Sequence, residues 1–84
     1  MNNKNTLIEK KLKSIILKST TLNYTENDIT DDSDLIIDFN FNSIDIIQLV
    51  VNIENDFQIE IEDDFFIIEA ISKYNNLKII LLIQ

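Results

Sequence analysis

Residues 38–57 read DFNFNSIDIIQLVVNIENDF, and the predicted architecture follows from them. The stretch begins without a regular apolar pattern and then repeats apolar side chains with the period of a helix. Asn42 is a favoured N-cap residue, because its side-chain oxygen can accept hydrogen bonds from the free N–H groups of a first turn. Asp45 adds a carboxylate three residues later, near the positive end of the helix dipole. The pattern predicts a helix over 43 to about 56.

Ser43 lies in the first turn of this predicted helix. The N–H groups of a first turn have no partners within the helix, so a phosphodiester on Ser43 would lie beside unpaired donors and the positive dipole end. Taken alone, however, a serine at this position needs no such role, since serine is common at helix starts for capping reasons.

The octet DFNFNSID at 38–45 and the helix exit NDFQIEI at 55–61 together resemble the modification site of acyl carrier proteins. The pattern of that family is Asp-Leu-Gly-x-Asp-Ser-Leu-Asp, followed by an amphipathic helix that ends in acids and Phe-x-Ile-x-Ile. The resemblance covers about residues 6–83. Asn40 replaces the family's Gly, and asparagine tolerates positive φ best after glycine. Asn42 replaces the family's Asp, which keeps an N-cap but removes a charge beside the serine.

The resemblance implies that a phosphopantetheinyl transferase attaches 4'-phosphopantetheine from coenzyme A to Ser43. The thiol of this arm would hold acyl, aminoacyl or polyketide intermediates as thioesters in a specialised biosynthetic pathway. The implied partners are the transferase and the acyl-loading and biosynthetic enzymes. An armless protein-interaction module with the same fold is the alternative. The implied partner-binding residues are Asn42, Ile44, Asp45, Ile47, Gln48, Val51 and Glu54.

The predicted central helix has two apolar sides. The first is a core face of Ile46, Leu49, Val50, Ile53 and Phe57. The second is a stripe of Ile44, Ile47 and Val51, which either packs under a neighbouring helix or docks on a partner. The resemblance implies that the stripe is the docking surface. Several positions on this surface are acidic in the family, but Gln48 and Asn55 are neutral here. Partners should therefore rely more on apolar contact than on salt bridges.

The predicted fold class is all-α, as a small four-helix bundle of the acyl-carrier-protein type. It has three longer helices, one short helix and a long first loop, in a single domain over 1–84 with an ordered core at about 6–83. Residues 58–62 alternate like a strand, but without a partner strand they should form an extended loop that buries Ile59 and Ile61. Phe65, Phe66, Ile67 and Ile68 either seal the core or line an acyl pocket. The predicted helices are Leu7 to Ser19 with a capping box at Thr6 and Glu9, Ser43 to Asp56, Asp63 to Ala70, and Lys73 to Ile83 capped by Ser72.

Composition limits the functions that remain. The 84 residues contain no Gly, Pro, Cys or His, so common nucleophile and base systems and Gly-rich phosphate loops are absent, and no enzyme is predicted. A net charge of −8 disfavours nucleic acid and favours basic protein partners, although acidity also serves solubility. The acids between Asp28 and Asp34 lack the glycine and final glutamate of a calcium loop, so no metal site is predicted. Without a signal peptide or a long apolar run, a cytoplasmic monomer is expected.

Overall fold

Three long helices and two short ones form the fold in the residues that the structure describes, which are 3–20, 22–62 and 67–84 of this computed structural model. The first long helix packs against the other two long helices, and the second short helix also contacts both of these. The predicted all-α bundle with three longer helices is confirmed. In chain order the elements are α1 (Asn3–Ser19), a 3-10 turn (Glu26–Asp28), α2 (Leu35–Phe39), α3 (Ser43–Phe57), α4 (Ile68–Ile71) and α5 (Tyr74–Leu82).

Apolar side chains from all five helices meet in one core. The predicted core face of α3 is buried, since Ile46, Leu49, Val50 and Ile53 are fully shielded from solvent and Phe57 is half-buried at the helix end. Burying a side chain of this kind contributes about 1.5–3 kcal/mol, so α3 is held chiefly by this face. The buried apolar residues are Leu12, Ile15, Ile16, Ile29, Leu35, Phe39, Phe41, Ile46, Leu49, Val50, Ile53, Ile61, Ile71, Tyr74, Leu77, Ile80 and Leu81.

The start of α1 differs from the sequence-based prediction. The helix begins at Asn3 rather than Leu7, so Thr6 lies inside it and the predicted capping box is wrong. Asparagine and lysine in the added turn do not stop a helix. The Glu9 carboxylate is engaged with α5, where it accepts a hydrogen bond of 3.0 Å from the Tyr74 hydroxyl. The predicted end of the helix at Ser19 is confirmed.

The long first loop is more ordered than its sequence pattern suggested. It contains a 3-10 turn and the short helix α2, which the irregular pattern of 20–41 did not predict. Asp34 caps α2 by accepting hydrogen bonds from the N–H groups of Ile36 and Ile37. The helix buries Leu35 and Phe39, one turn apart on one face. Two buried side chains and one cap therefore order a segment too short for a periodic signal.

The junction between α4 and α5 is tied to the start of α2. The prediction that Ser72 caps α5 is wrong, because Lys73 occupies the N-cap position of that helix. Ser72 is buried, and its hydroxyl donates a hydrogen bond to the Glu69 carbonyl. Backbone hydrogen bonds run from Leu35 N–H to Ser72 O and from Tyr74 N–H to Ser33 O. The predicted third helix falls partly on residues 63–66, with Phe65 and Phe66, which lie outside the described residues.

Residues 58–62 form the extended connection that the sequence predicted. Gln58 ends α3 in the left-handed region at φ 54° and ψ 50°. Ile61 is buried and Ile59 is half-buried, and none of the described residues pairs with this segment as a strand. The carboxylate of Glu54 accepts a hydrogen bond of 2.9 Å from the Ile61 N–H, which fixes the connection to α3.

Candidate functional site

The turn before α3 is held by two buried aromatic side chains and one left-handed residue. Phe39 and Phe41 are both buried, and Asn40 between them has φ 61° and ψ 28°. The N–H groups of Asn40 and Phe41 both donate to the carbonyl of Leu35, the first residue of α2. The predicted positive φ at Asn40 is confirmed, and the turn delivers the chain to α3 in one fixed direction.

A reciprocal pair of hydrogen bonds caps α3. The Asn42 side-chain oxygen accepts from the Asp45 N–H at 2.8 Å, and the Asp45 carboxylate accepts from the Asn42 N–H at 3.0 Å. The predicted capping roles of both residues are confirmed. The cap uses the N–H of Asp45, but the described part of the chain offers no acceptor to the N–H groups of Ser43 and Ile44. Two donors therefore remain free at the positive end of α3.

Ser43 is the first residue of α3, and its side chain is exposed. Within the described residues its hydroxyl has no hydrogen-bond partner, and the nearby Asp45 carboxylate uses one of its two oxygens in the cap. Ser43 is therefore accessible but not activated by a base of its own. The two free N–H groups beside it suit the oxygens of a phosphodiester, so the residues present fit a phosphate-linked prosthetic group.

The second apolar stripe of α3 lies on the surface. Ile44 is 76% exposed, Ile47 is 45% exposed and Val51 is 41% exposed. Of the two interpretations that the sequence left open, the structure favours an exposed face over a buried one. Three exposed branched side chains on one helix form a patch of the kind that marks interaction sites.

The polar residues beside this stripe carry little free charge. Gln48 is exposed, and its amide donates to the Asn52 side chain at 3.2 Å. Glu54 is half-buried, and its carboxylate holds the Ile61 N–H. Two of the predicted partner-binding residues therefore differ in their surroundings. Gln48 lies at the surface beside the stripe, whereas Glu54 is half-buried and hydrogen-bonded to the extended segment after α3.

Three acids of the first loop have structural partners. Asp28 accepts from the Thr25 N–H, Asp34 caps α2, and Asp31 lies 2.7 Å from Lys78 Nζ. The described residues contain no group of three or more acids placed to hold a metal ion. In the same part of the chain, no helix has the length and apolar character needed to cross a membrane.

Two features of the structure have no counterpart in the sequence-based interpretation. A network joins α1 to α5, where Glu9 accepts from the Tyr74 hydroxyl and lies 3.8 Å from Lys78. Burial and the hydrogen bond to Glu9 raise the pKa of Tyr74 well above its ordinary value. The second feature is a cavity of about 190 Å³, called here the turn cavity. It is lined by Ser19, Thr20, Leu22, Phe39, Asn40, Phe41 and Asp45.

Comparison with known proteins agrees with the geometry of this site. Residues 10–75 match the model of a protein family described as a phosphopantetheine attachment site. The chain is also 44% identical over 57 residues to an acyl carrier protein of Buchnera aphidicola subsp. Baizongia pistaciae (strain Bp), a match that covers 68% of this chain and 70% of that protein. No solved structure matches the chain at a significant level.

Proposed function

Because the chain belongs to the acyl carrier protein family, we propose that Ser43 is the residue that carries its prosthetic group. The protein is a carrier rather than an enzyme, and its prosthetic group is a covalently attached 4'-phosphopantetheine. The observation that carries the proposal is the position of Ser43, exposed at the start of α3 beside two free N–H groups.

The residues around Ser43 have separate roles in the attachment. The Ser43 hydroxyl forms the new bond to phosphorus, a bond within the diphosphate of coenzyme A breaks, and adenosine 3',5'-bisphosphate leaves. The proton of the hydroxyl passes to a base of the transferase, since Ser43 has no base among the described residues. The N–H groups of Ser43 and Ile44 are the donors that would hold the diester oxygens. When bound, the arm supplies a thiol, which this cysteine-free chain lacks, to hold acyl groups as thioesters.

The proposed docking surface is the exposed stripe of α3 together with the cap that precedes it. Ile44, Ile47 and Val51 supply apolar contact, with Gln48 beside them. Asn42 and Asp45 shape the helix start that the transferase must recognise. Since Gln48 is neutral and the half-buried Glu54 carboxylate uses one of its oxygens within the chain, partners gain more from apolar contact than from salt bridges here. Binding should therefore depend only weakly on salt concentration.

The intact mass of the purified protein tests the attachment site. Incubation with coenzyme A and a broad-specificity phosphopantetheinyl transferase should add one phosphopantetheine to the wild type and none to Ser43→Ala. Ser14→Ala is the matched control, because it removes a hydroxyl from α1 and should leave the adduct intact. An adduct that persists in Ser43→Ala contradicts the proposal.

The same experiment distinguishes a selective site from a chain without an arm. If the wild type remains unmodified, Asn42→Asp restores the family's charge beside the serine and should restore modification by the generic transferase. A folded Asn42→Asp protein that also stays unmodified would support the armless interaction module.

Initial rates of the same transferase test the docking surface. Ile44→Ser should lower kcat/KM about tenfold, the loss expected for an exposed apolar contact of about 1–2 kcal/mol. Ile37→Ser is the matched control, since Ile37 is 79% exposed on α2, outside the stripe. Equal losses in the two variants would show that the stripe is not the docking surface.

The proposed pathway is a specialised one, such as polyketide or nonribosomal peptide synthesis, and its support is the neutral surface of α3 at Gln48 and Asn55. Acyl groups recovered on the protein from its native cell test this. Mainly ordinary fatty-acid intermediates would overturn the pathway assignment but leave the carrier function. The proposal includes a monomer that acts in the cytoplasm, where coenzyme A is available, and light scattering of the purified protein tests its monomeric state.

A further inference from the structure

We propose that the turn cavity binds the amide-bearing segment of the arm, an inference that rests on the proposed attachment at Ser43. The cavity lies between the end of α1 and the turn that leads into α3. It has a volume of about 190 Å³. Sites for whole drug-sized ligands begin at about 300 Å³, so this cavity accepts one segment of a chain molecule rather than the complete arm.

The cavity is within reach of the attachment point. Asp45 lines it from the first turn of α3, and ideal helix geometry places the Cα atoms of Ser43 and Asp45 about 5.4 Å apart. Asn40 and Phe41 line it from the turn that immediately precedes the serine. Ser43 and Asp45 are two positions apart, so their side chains point about 200° apart around the helix axis. The arm must therefore pass around the start of α3 to enter the cavity. A flexible chain with many rotatable bonds can do so.

The polar groups of the cavity match the donors of the arm. Pantetheine contains two secondary amides, each with an N–H donor. Asp45 uses one carboxylate oxygen in the cap, and its second oxygen has no partner within the described residues. The Ser19 hydroxyl donates to the Ile15 carbonyl and therefore keeps its lone pairs available as acceptors. Two residues that line the cavity, one on α1 and one on α3, thus keep acceptor capacity for a ligand segment that brings donors.

The remaining groups direct which part of the arm enters. The Asp45 carboxylate repels an anion, so the phosphodiester stays at the free N–H groups of Ser43 and Ile44. Phe39 and Phe41 also line the cavity, and the small part of their surface that is not buried is apolar, which suits the two methylene groups between the amides. The phosphodiester of the arm would therefore lie at the start of α3, and its amide-bearing middle segment would lie beside α1.

Amide chemical shifts of the isotope-labelled protein test the inference, compared before and after modification. Intact mass first establishes that every molecule carries one arm at Ser43. Shifts near Ser43 will change in any case, so the diagnostic reporters are Thr20 and Leu22, which are distant in sequence. The shift changes at Thr20 and Leu22 should be several times larger than the shift change at Val51, which lies away from the cavity. Nuclear Overhauser contacts between arm protons and the Thr20 methyl should also appear.

A cavity-filling variant sharpens this test. Ser19→Leu fills the cavity from α1 with a residue of higher helix propensity, and it should abolish the arm-dependent shifts at Thr20 and Leu22. Ser14→Leu is the matched control, since Ser14 lines a different groove on the same helix. If Ser19→Leu fails to fold, the wild-type comparison still decides.

The outcomes separate the inference from the function on which it rests. A fully modified wild type whose shift changes are confined to residues 42–45 overturns the inference and leaves Ser43 as the attachment site. Shifts at Thr20 and Leu22 that survive in a folded Ser19→Leu protein also overturn it. A wild type that takes no arm at Ser43 overturns both.

Discussion

Replacing Gln58 by glycine should stabilise this protein. Gln58 ends α3 with φ 54° and ψ 50°, in the left-handed region where a residue with a Cβ atom is disfavoured. Its side chain is exposed and makes no hydrogen bond among the described residues, so the substitution removes no contact. The backbone bond from Gln58 N–H to the Glu54 carbonyl is available to glycine as well.

The magnitude follows from two opposing effects at this position. A left-handed L-residue costs about 1–2 kcal/mol, which glycine relieves. Glycine also gives the unfolded chain more freedom, which costs about 0.5–1 kcal/mol. The expected gain in the free energy of unfolding is about 0.5–1 kcal/mol, or roughly 2–8 °C in Tm for a domain of this size.

Urea unfolding followed by far-ultraviolet circular dichroism measures this gain. The transition midpoint should rise while the slope m stays unchanged, because the buried surface is the same. Asn40 provides the comparison, since it is the other described residue with a positive φ. Asn40→Gly should change stability less than Gln58→Gly, because asparagine tolerates this region, and Asn40→Ala should cost about 1 kcal/mol. A Gln58→Gly protein that is no more stable than the wild type, at unchanged m, would refute the reasoning.

Three further substitutions test contacts that the tertiary structure makes. Tyr74→Phe removes the hydrogen bond to Glu9 and should cost about 1 kcal/mol near neutral pH. The folded protein raises the pKa of Tyr74, so the stabilising effect of its neutral form is complete below the unfolded pKa of about 10. Above that pH the effect declines, because the unfolded chain loses the proton first. The urea midpoint of the wild type should therefore fall more steeply above about pH 10 than that of Tyr74→Phe. Glu54→Gln weakens the bond to the backbone after α3 and should lower unfolding stability by about 1 kcal/mol while kcat/KM with the transferase stays within twofold; a large kinetic loss would return Glu54 to the docking surface. Lys78→Met removes the cation between Glu9 and Asp31 and should cost about 1 kcal/mol at low salt and less at high salt, and a salt-independent cost in urea would contradict an electrostatic role.

The parts of the fold that rest on local interactions were predictable. The cap of α3 joins Asn42 and Asp45, which are three residues apart, so residue types alone indicate it. The periodic pattern of α3 likewise identified its buried face. By contrast, α2 was missed, because it is only five residues long and is held by Asp34 and by backbone bonds to the junction of α4 and α5. A segment so short shows no period.

The candidate site was predictable to the same extent. The position of Ser43 in the first turn of α3 and the apolar stripe follow from sequence spacing, whereas the positive φ at Asn40 was expected from the resemblance, which places a glycine there. Whether the stripe was covered depended on where other helices pack. The hydrogen bond that Glu54 accepts from the Ile61 N–H was not predictable, because Ile61 lies on an extended segment whose path no helical periodicity describes.

The sequence by itself determined the helical class, the start of α3 and the serine presented there, because each depends on groups within one or two helical turns. Only the tertiary structure decided that Glu9 serves α5 rather than the start of its own helix, that Glu54 holds the connection after α3, and that a cavity opens beside the turn. The physical reason is the separation of the partners. Tyr74 and Glu9 are 65 positions apart, and a carboxylate's partner at such a distance is set by how helices pack.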